Sequence, residues 1–496
     1  MEKPCCCFSI IYHCVLQECS CLESIMAIDL DIPKRYVLSG LIFIGFFIMS
    51  ALRVNLNVAI GAMVNNHTIN TNGTDIVEDP EFDWDSAMQG IILGSFYYGY
   101  MVFQIPGGWL AMKLGGAKLF GFGIFSASFL TLFTPLAARC SPIALIILRV
   151  LEGLALGCLF PCNHCIWGHW APSEERTTLV TVSVAGTSVG YLFTMPITGL
   201  LTKYGFDGGW GSVFYCFGVF GLFWYIAWLL LVYETPAEHP GLSTEEREIL
   251  SHHDKDLETI GSVSVPWINI LTSLPVWAIV AANFALDWAF YILLISIPKY
   301  LVEVQQTEIH TMGFLAAAPF LVKGVFTPVS GLTADLMRKK MQTKTVRRVF
   351  YAVGTLLTGV LIVAAGYAHV VAVVVFVALA GASTSISYAG YTVNMLDIAP
   401  RCAGVIMGIC NTVGTTAGFI SPMLVGFLTQ HKSAAEWRIV FWVGGIIMFV
   451  GTGLFCLLLE ADRQDWDKKM DGSTNDENQG QDKPAKEEVL TPPSRK

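Results

Sequence analysis

Charge is what this sequence has least of. Only 14% of its 496 residues are Asp, Glu, Lys or Arg, against about 25% in a soluble domain, whose surface must face water. Apolar residues make up 54%, and the mean hydropathy is +0.56. Most of this surface must therefore face hydrocarbon, which puts the chain in the membrane class. No basic run suited to nucleic acid accompanies the net charge of −9, because the acids sit in loops and tails. Neither an HExxH string nor a Walker A string occurs, and no soluble domain is left over, which argues against a membrane enzyme and against ATP-driven pumping. A seven-helix receptor has too few spans for this chain.

Zinc-type cysteine spacing is also lacking. Six of the fourteen cysteines (Cys5, Cys6, Cys7, Cys14, Cys19, Cys21) crowd the N-terminus. That crowding is either incidental or a palmitoylation cluster beside the first span. Cys162 and Cys165 form a CxxC without a second pair, inside an apolar run, where a thiol packs as a small hydrophobe. The N-terminus carries acids (Glu18, Glu23, Asp29, Asp31) and no clean apolar core, so it does not read as a signal peptide.

What is present is a succession of apolar runs, each near the 20 or so residues that cross a bilayer. They predict spans near 37–62, 87–112, 117–138, 141–168, 178–202 and 210–233, then 273–298, 309–334, 347–368, 370–396, 402–429 and 436–460. The expected organisation is a cytosolic Cys-rich tail (1–35), a six-helix bundle (36–233), a cytosolic linker (234–272), a second six-helix bundle (273–460) and a charged, disordered tail (461–496). In the linker, Ser243 and Glu246 have capping-box spacing, which predicts a short surface helix.

Orientation follows from Lys and Arg. The loop after span 1 holds Asp75, Glu78, Asp79, Glu81, Asp83 and Asp85 and no base, with N-glycosylation sequons at Asn66 and Asn72. The loop after span 8 holds Arg338, Lys339, Lys340, Lys344, Arg347 and Arg348. Both termini are therefore expected in the cytosol.

The two halves echo one another. Ala171-Pro172, Gly186 and Gly190 return as Ala399-Pro400, Gly414 and Gly418, at a constant offset of 228. Pro196 with Gly199 is followed by Pro422 with Gly426, and Gly107–Lys113 is matched loosely by Gly331–Asp335 with Arg338 and Lys339. Two related six-span halves around a central site form the architecture of a major-facilitator transporter, an all-α membrane protein with 12 transmembrane helices in two pseudo-symmetric bundles.

Ionisable residues inside spans cost about 2.5–3.5 kcal/mol on insertion scales, so they face partners or a wet cavity. Arg53 follows an uncharged stretch from Tyr36 to Leu52, and its guanidinium suits a carboxylate or phosphate. Snorkelling to the lumenal surface is the plainer reading. Asn57 shares its face one turn on. Arg149 and Glu152 are three residues apart, either a structural ion pair or a substrate-and-proton couple. His164 lies beyond Pro161, with an unperturbed pKa near 6.5 that suits an acid-sensing switch, or it simply bonds a neighbouring helix. Asn283, Asp287 and Tyr291 form a polar stripe on span 7. Lys323 on span 8 either pairs with Asp287, the expected resting state, or offers its charge to an anion.

Several strings resemble one family together: Leu52-Arg53-Val54-Asn55-Leu56-Asn57, Gly94-Ser95-Phe96-Tyr97-Tyr98-Gly99-Tyr100, Gln104-Ile105-Pro106-Gly107-Gly108, Arg149-Val150-Leu151-Glu152-Gly153, His164-Cys165-Ile166-Trp167 and Leu396-Asp397-Ile398-Ala399-Pro400. The resemblance, over about residues 36–462, is to the anion–cation symporter family of the major facilitator superfamily. That family includes lysosomal sialic-acid exporters, vesicular glutamate and nucleotide transporters, and type-one sodium–phosphate cotransporters. The order of strings looks most like the sialic-acid-exporting branch.

The resemblance implies proton-coupled export of acidic sugars from lysosomes, or loading of acidic amino acids into vesicles. It implies a substrate site of Arg53, Asn57, Tyr98, Arg149, Tyr291 and Lys323, and proton coupling by Glu152, His164 and Asp287. The partners implied are a small organic anion and the lipid bilayer, with no ATP, nucleic acid, cofactor or metal. The proton is the expected coupling ion. A sodium-dependent phosphate or organic-anion cotransporter of the plasma membrane is the alternative. Two departures stand out: the family's glutamate four residues beyond position 152 is Leu156 here, and the span-7 arginine of vesicular glutamate transporters is Leu286. The first puts the coupling mechanism in doubt; the second argues against a dedicated glutamate loader.

Overall fold

The computed structural model describes residues 32–71, 74–254, 265–305 and 309–469. The Cys-rich N-terminal cluster, Asn72 and the end of the charged tail lie outside the described residues.

In chain order the first half comprises α1 (Lys34–Val64), a two-stranded hairpin of β1 (His67–Thr71) and β2 (Thr74–Glu78), α2 (Ser86–Leu114), α3 (Gly116–Thr131), α4 (Thr134–Cys140), α5 (Pro142–Gly157), α6 (Leu159–Trp170), α7 (Arg176–Tyr204) and α8 (Trp210–Leu231). The linker carries α9 (Thr244–Asp254) and α10 (Trp267–Thr272). The second half comprises α11 (Leu274–Tyr291), α12 (Ile297–Glu303), α13 (Ile309–Arg338), α14 (Thr343–Ala365), α15 (Val370–Tyr391), α16 (Asn394–Ile398), α17 (Ala403–Leu428) and α18 (Ala434–Leu458).

Among the described residues, nine helices or nearly continuous helix pairs are long and apolar enough to cross a membrane; α3 with α4, bent by 46°, makes a tenth. The other two spans expected from the sequence are α2 and α13, helices of 29 and 30 residues that carry polar groups such as Gln104 and Lys323. Twelve crossings result. Outward faces of the spans are apolar, with Phe223, Val371 and Leu457 at 68%, 78% and 82% exposure, as a lipid-facing surface requires.

Four expected continuous spans are broken. The third bends by 46° between α3 and α4. The fourth breaks between Gly157 and Leu159, because Pro161 has no N–H to give the carbonyl of Gly157 and its ring crowds that oxygen. The seventh passes through a π-helical turn at 292–296, just before Pro298. The tenth breaks between Tyr391 and Asn394.

The hairpin is a departure from a purely helical reading. It pairs antiparallel with Ile69 opposite Ile76, flanking an Asn-Gly dipeptide of the kind that favours tight turns. Beyond it, Glu81 accepts from Arg139 Nε (2.7 Å) and Trp210 Nε1 (2.9 Å), while Arg139 also pairs with Asp207 (2.9 Å).

The linker helix forms where Ser243 and Glu246 predict it, but only half the capping box is made. Ser243 Oγ accepts from Glu246 N–H (3.1 Å). The Glu246 carboxylate turns instead to the start of α1, accepting from Lys34 N–H (2.8 Å), Arg35 N–H (3.1 Å) and Arg35 Nη1 (3.1 Å). An unsatisfied helix N-terminus and a guanidinium outcompete one backbone N–H.

At the basic-loop end the halves are bound together. Asp335 on α13 accepts from Thr177 N–H (3.3 Å), Thr178 N–H (2.7 Å) and Thr178 Oγ1 (2.8 Å), and so caps α7 from the opposite half. Arg347 donates to Thr177 Oγ1 (3.0 Å) while held by Asp397 (2.8 Å), and Arg338 donates to Ser173 O (2.7 Å). That end is closed.

Candidate functional site: a cavity between the halves

A cavity enclosing about 1010 Å³ of empty space, its open mouth included, lies between the halves. Its first-half wall includes Met49, Arg53, Tyr100, Phe160, Ser188 and Tyr191; its second-half wall includes Asp287, Tyr291, Phe320, Lys323, Tyr388 and Asn411. Three formal charges line it, Arg53 and Lys323 positive and Asp287 negative, so the wall is cationic by one.

Arg53 is 8% exposed. Its guanidinium lies over the rings of Tyr97 (4.7 Å) and Tyr100 (5.2 Å), and Nη2 donates to Tyr291 Oη across the interface (3.4 Å). No carboxylate bonds it among the described residues. Aromatic faces stabilise the cation without an ion pair, and among the described residues only neutral tyrosine hydroxyls engage its donor fork, so a charged ligand can displace them. Arg53 does not snorkel to the surface.

The stripe on α11 leads into the cavity. Buried Asn283 donates Nδ2 to Asp287 Oδ2 (2.9 Å) and to Cys410 O (3.0 Å), and accepts from Tyr391 Oη (2.8 Å). Lys323 lies over the rings of Phe290 (5.5 Å) and Tyr388 (5.4 Å). The expected direct pair with Asp287 is not formed among the described residues, although the two act on each other electrostatically. The aromatic box takes the place of the counter-ion.

The repeated glycines explain how these side chains fit. A Cβ on Gly186 would strike the backbone of Phe43 on α1, and one on Gly190 the Ser50 side chain (2.7 Å) and Phe47 backbone (2.8 Å) of the same helix. In the second half, a Cβ on Gly414 would strike the Asp287 carboxylate, and one on Gly418 the ring of Tyr291 (2.6 Å). One glycine pair brings α7 against the helix that carries Arg53. The other makes room for Asp287 and Tyr291.

Five residues expected at the site are elsewhere. Asn57, one turn beyond Arg53, is exposed and does not line the cavity. Tyr98 is 57% exposed and stacks on Phe419 (6.0 Å) at the outer edge of the interface. Arg149 and Glu152 form a fully buried ion pair (2.7 Å) outside the cavity lining.

His164, also off the cavity, sits at the seam near the closed end. Its Nδ1 faces Phe160 O (3.0 Å) and its Nε2 faces Thr392 O (3.3 Å). Thr392 stands at the repeat offset of 228 from His164, so the contact joins pseudo-equivalent positions. Asn66 is exposed just before β1, while Asn72 lies outside the described residues.

Sequence reasoning did not single out Tyr191, Tyr388 or Asn411 as ligands. Their signal was faint: Tyr191 directly follows Gly190 of the repeat, and Tyr388 ends the polar run Ser383–Ser387 of span 10. The string Gly186-Thr187-Ser188-Val189-Gly190 spells a hydrolase elbow, yet it lies within the continuous helix α7 rather than on a strand-to-helix turn. Among the described residues no group of three or more His, Cys, Asp and Glu could hold a metal ion.

Comparison with known proteins agrees with this architecture. The Major Facilitator Superfamily model matches residues 42–308 and 304–493. The chain is 40% identical over 458 residues to vesicular glutamate transporter 3 of Danio rerio, covering 91% of this chain and 76% of that protein. It is 39% identical over 458 residues to vesicular glutamate transporter 2 of Homo sapiens, covering 91% and 77%.

Among solved structures, the proton:xylose symporter XylE superposes with a TM-score of 0.65 at 13% identity, over 88% of this chain and 98% of that one. The E. coli fucose:proton symporter FucP gives 0.62 at 14%, over 86% and 100%. These two establish the fold alone. Two six-helix halves about a cationic cavity, the family match and the curated relatives lead to one statement: the chain belongs to the anion–cation symporter family of the major facilitator superfamily, multi-pass membrane transporters of organic anions rather than enzymes.

Proposed function

We propose that the chain carries a small organic anion, an acidic sugar such as sialic acid or an acidic amino acid, across a lysosomal or vesicular membrane by proton-coupled alternating access. One observation carries the reading: Arg53 and Lys323 face a cavity between the halves with aromatic rings, not carboxylates, against them. A cation held this way keeps its Coulombic capacity for a ligand and costs no ion pair to break.

In this reading Arg53 forks onto the substrate carboxylate. Tyr291 and the neighbouring tyrosines bond its hydroxyl or amino groups, and Lys323 takes a second polar group. Asp287 is the proton carrier best supported by geometry, since it lines the cavity and shares its field with both cations. Protonation of Asp287 makes the site more cationic and favours anion loading; release on the other side reverses that. His164, bridging the seam, is the further candidate for coupling, and Glu152 a third. The basic loops lie in the cytosol by the positive-inside rule, which puts both termini there and the sequon at Asn66 in the lumen.

Counterflow in proteoliposomes tests the reading. Liposomes preloaded with sialic acid, glutamate or phosphate exchange against the labelled anion at matched pH, in sodium and then in choline. Exchange of an organic anion that survives choline supports it. Exchange confined to phosphate and lost in choline establishes the sodium-dependent alternative instead.

A further inference from the structure

The structure assigns to Arg149 a positioning role: it holds the backbone that presents Arg53 to the cavity, with Glu152 as its counter-charge. Arg149 Nη1 donates to Leu52 O and Nη2 donates to Arg53 O, each at 3.2 Å. Its third strong contact is Glu152 Oε2, 2.7 Å from Nη1. The other carboxylate oxygen, Glu152 Oε1, accepts from Thr131 Oγ1 (2.8 Å) and Thr134 Oγ1 (3.5 Å). Arg149, Glu152, Thr131 and Thr134 are all 0–1% exposed, and none lines the cavity.

Helical carbonyls ordinarily accept from the N–H four residues on, so a guanidinium bonding two of them in one turn calls for a reason. The N–H of Leu56, the ordinary partner of Leu52 O, also donates to Asn55 Oδ1 (2.7 Å). The helix stays continuous through the turn that bears Arg53, and Arg149 adds donors from α5 to the second lone pairs of its carbonyls, tying that turn to the neighbouring helix. A buried fork bonding two carbonyls fixes both the position and the rotation of the turn, which a point-charge lysine cannot do. The Phe96 ring closes the remaining side of the guanidinium at 5.2 Å. Arg149 acts on substrate only through Arg53, and Glu152 keeps that buried cation neutralised.

The test reads position 53 directly and does not depend on whether the transport reading holds. Among the described residues no cysteine lines the cavity, so in the full chain an Arg53→Cys substitution reports its own modification by a negatively charged methanethiosulfonate over the parent background. Thr384→Cys, on the opposite wall, serves as the control.

Combining Arg53→Cys with Arg149→Leu/Glu152→Leu removes the fork and its counter-charge together, which spares the fold an unpaired buried ion. Modification at 53 is expected to slow by at least about tenfold, the factor that loss of even one charge-assisted bond corresponds to. Arg149→Lys, which keeps the ion pair, slows it by an intermediate factor. Modification at 384 stays within about twofold.

Unchanged reactivity at 53 overturns the proposal. So does a parallel fall at 384, which makes the pair a general packing element. With Arg53 intact, Arg149→Lys is expected to raise KM for N-acetylneuraminate far more than it lowers kcat, without moving the pH optimum. Should the parent chain not transport that probe, the proposed substrate fails while the labelling result stands.

Discussion

At the scale of single residues, the proposed chemistry rests on Arg53 and Asp287. Arg53→Ala leaves a small void among tyrosines and removes the cation that a carboxylate needs, so uptake is expected to vanish while the protein keeps its elution profile; persistent uptake removes Arg53 from the site. Asp287→Asn keeps the bond from Asn283 but cannot exchange a proton. Its uptake should respond far less to an imposed pH gradient, and an unaltered response would move coupling to His164 or Glu152. Gly414→Ala adds one methyl where the Asp287 carboxylate already sits. Overpacking of this kind costs about 1–3 kcal/mol, so a well-folded variant with at least severalfold weaker transport is expected from radiolabel uptake.

Elements add what single residues cannot. The linker helix α9 is pinned to α1 by Glu246, which satisfies two backbone N–H groups and the Arg35 side chain. Glu246→Ala leaves those buried donors short of partners at a cost of about 1–3 kcal/mol. The expected result is a fall in the melting temperature in detergent with substrate affinity retained. Asp335 works between halves, capping α7 from α13. Asp335→Ala weakens the closed basic end, so a cysteine at Ser188 should become more reactive from that side. The breaks at Gly157 and Tyr391 belong to this scale too. Pro161 announces the first in the sequence, whereas no proline marks the second, and the sequence pattern read both spans as continuous.

For the whole molecule, the apolar runs and the 228-residue repeat carried most of the architecture, because lipid leaves only helices as spans and duplication repeats their glycines. Arg53, Asp287, Tyr291 and Lys323 were legible for a related reason: a charge or polar group inside an apolar run needs an aqueous or polar partner. Legibility stopped where the answer depended on tertiary placement. Asn57 shares a helix face with Arg53 yet stays outside the cavity lining, and Arg149 is as charged as Arg53 yet spends its donors on backbone. Tyr191 and Tyr388 join the cavity only because two halves meet there, a tertiary fact that no local pattern encodes. The small hairpin in the acidic loop, though Asn-Gly separates its strands in the sequence, has too few residues to declare itself by alternation.

The most direct measurement is proton-gradient-driven uptake of labelled sialic acid and glutamate by proteoliposomes of the purified chain, run beside Arg53→Ala and Lys323→Ala. Accumulation of at least one of these anions is expected, abolished by Arg53→Ala, reduced by Lys323→Ala and independent of sodium. Accumulation that persists in Arg53→Ala, or that follows the sodium gradient and ignores pH, would contradict the assignment of the central cavity as a proton-coupled anion site.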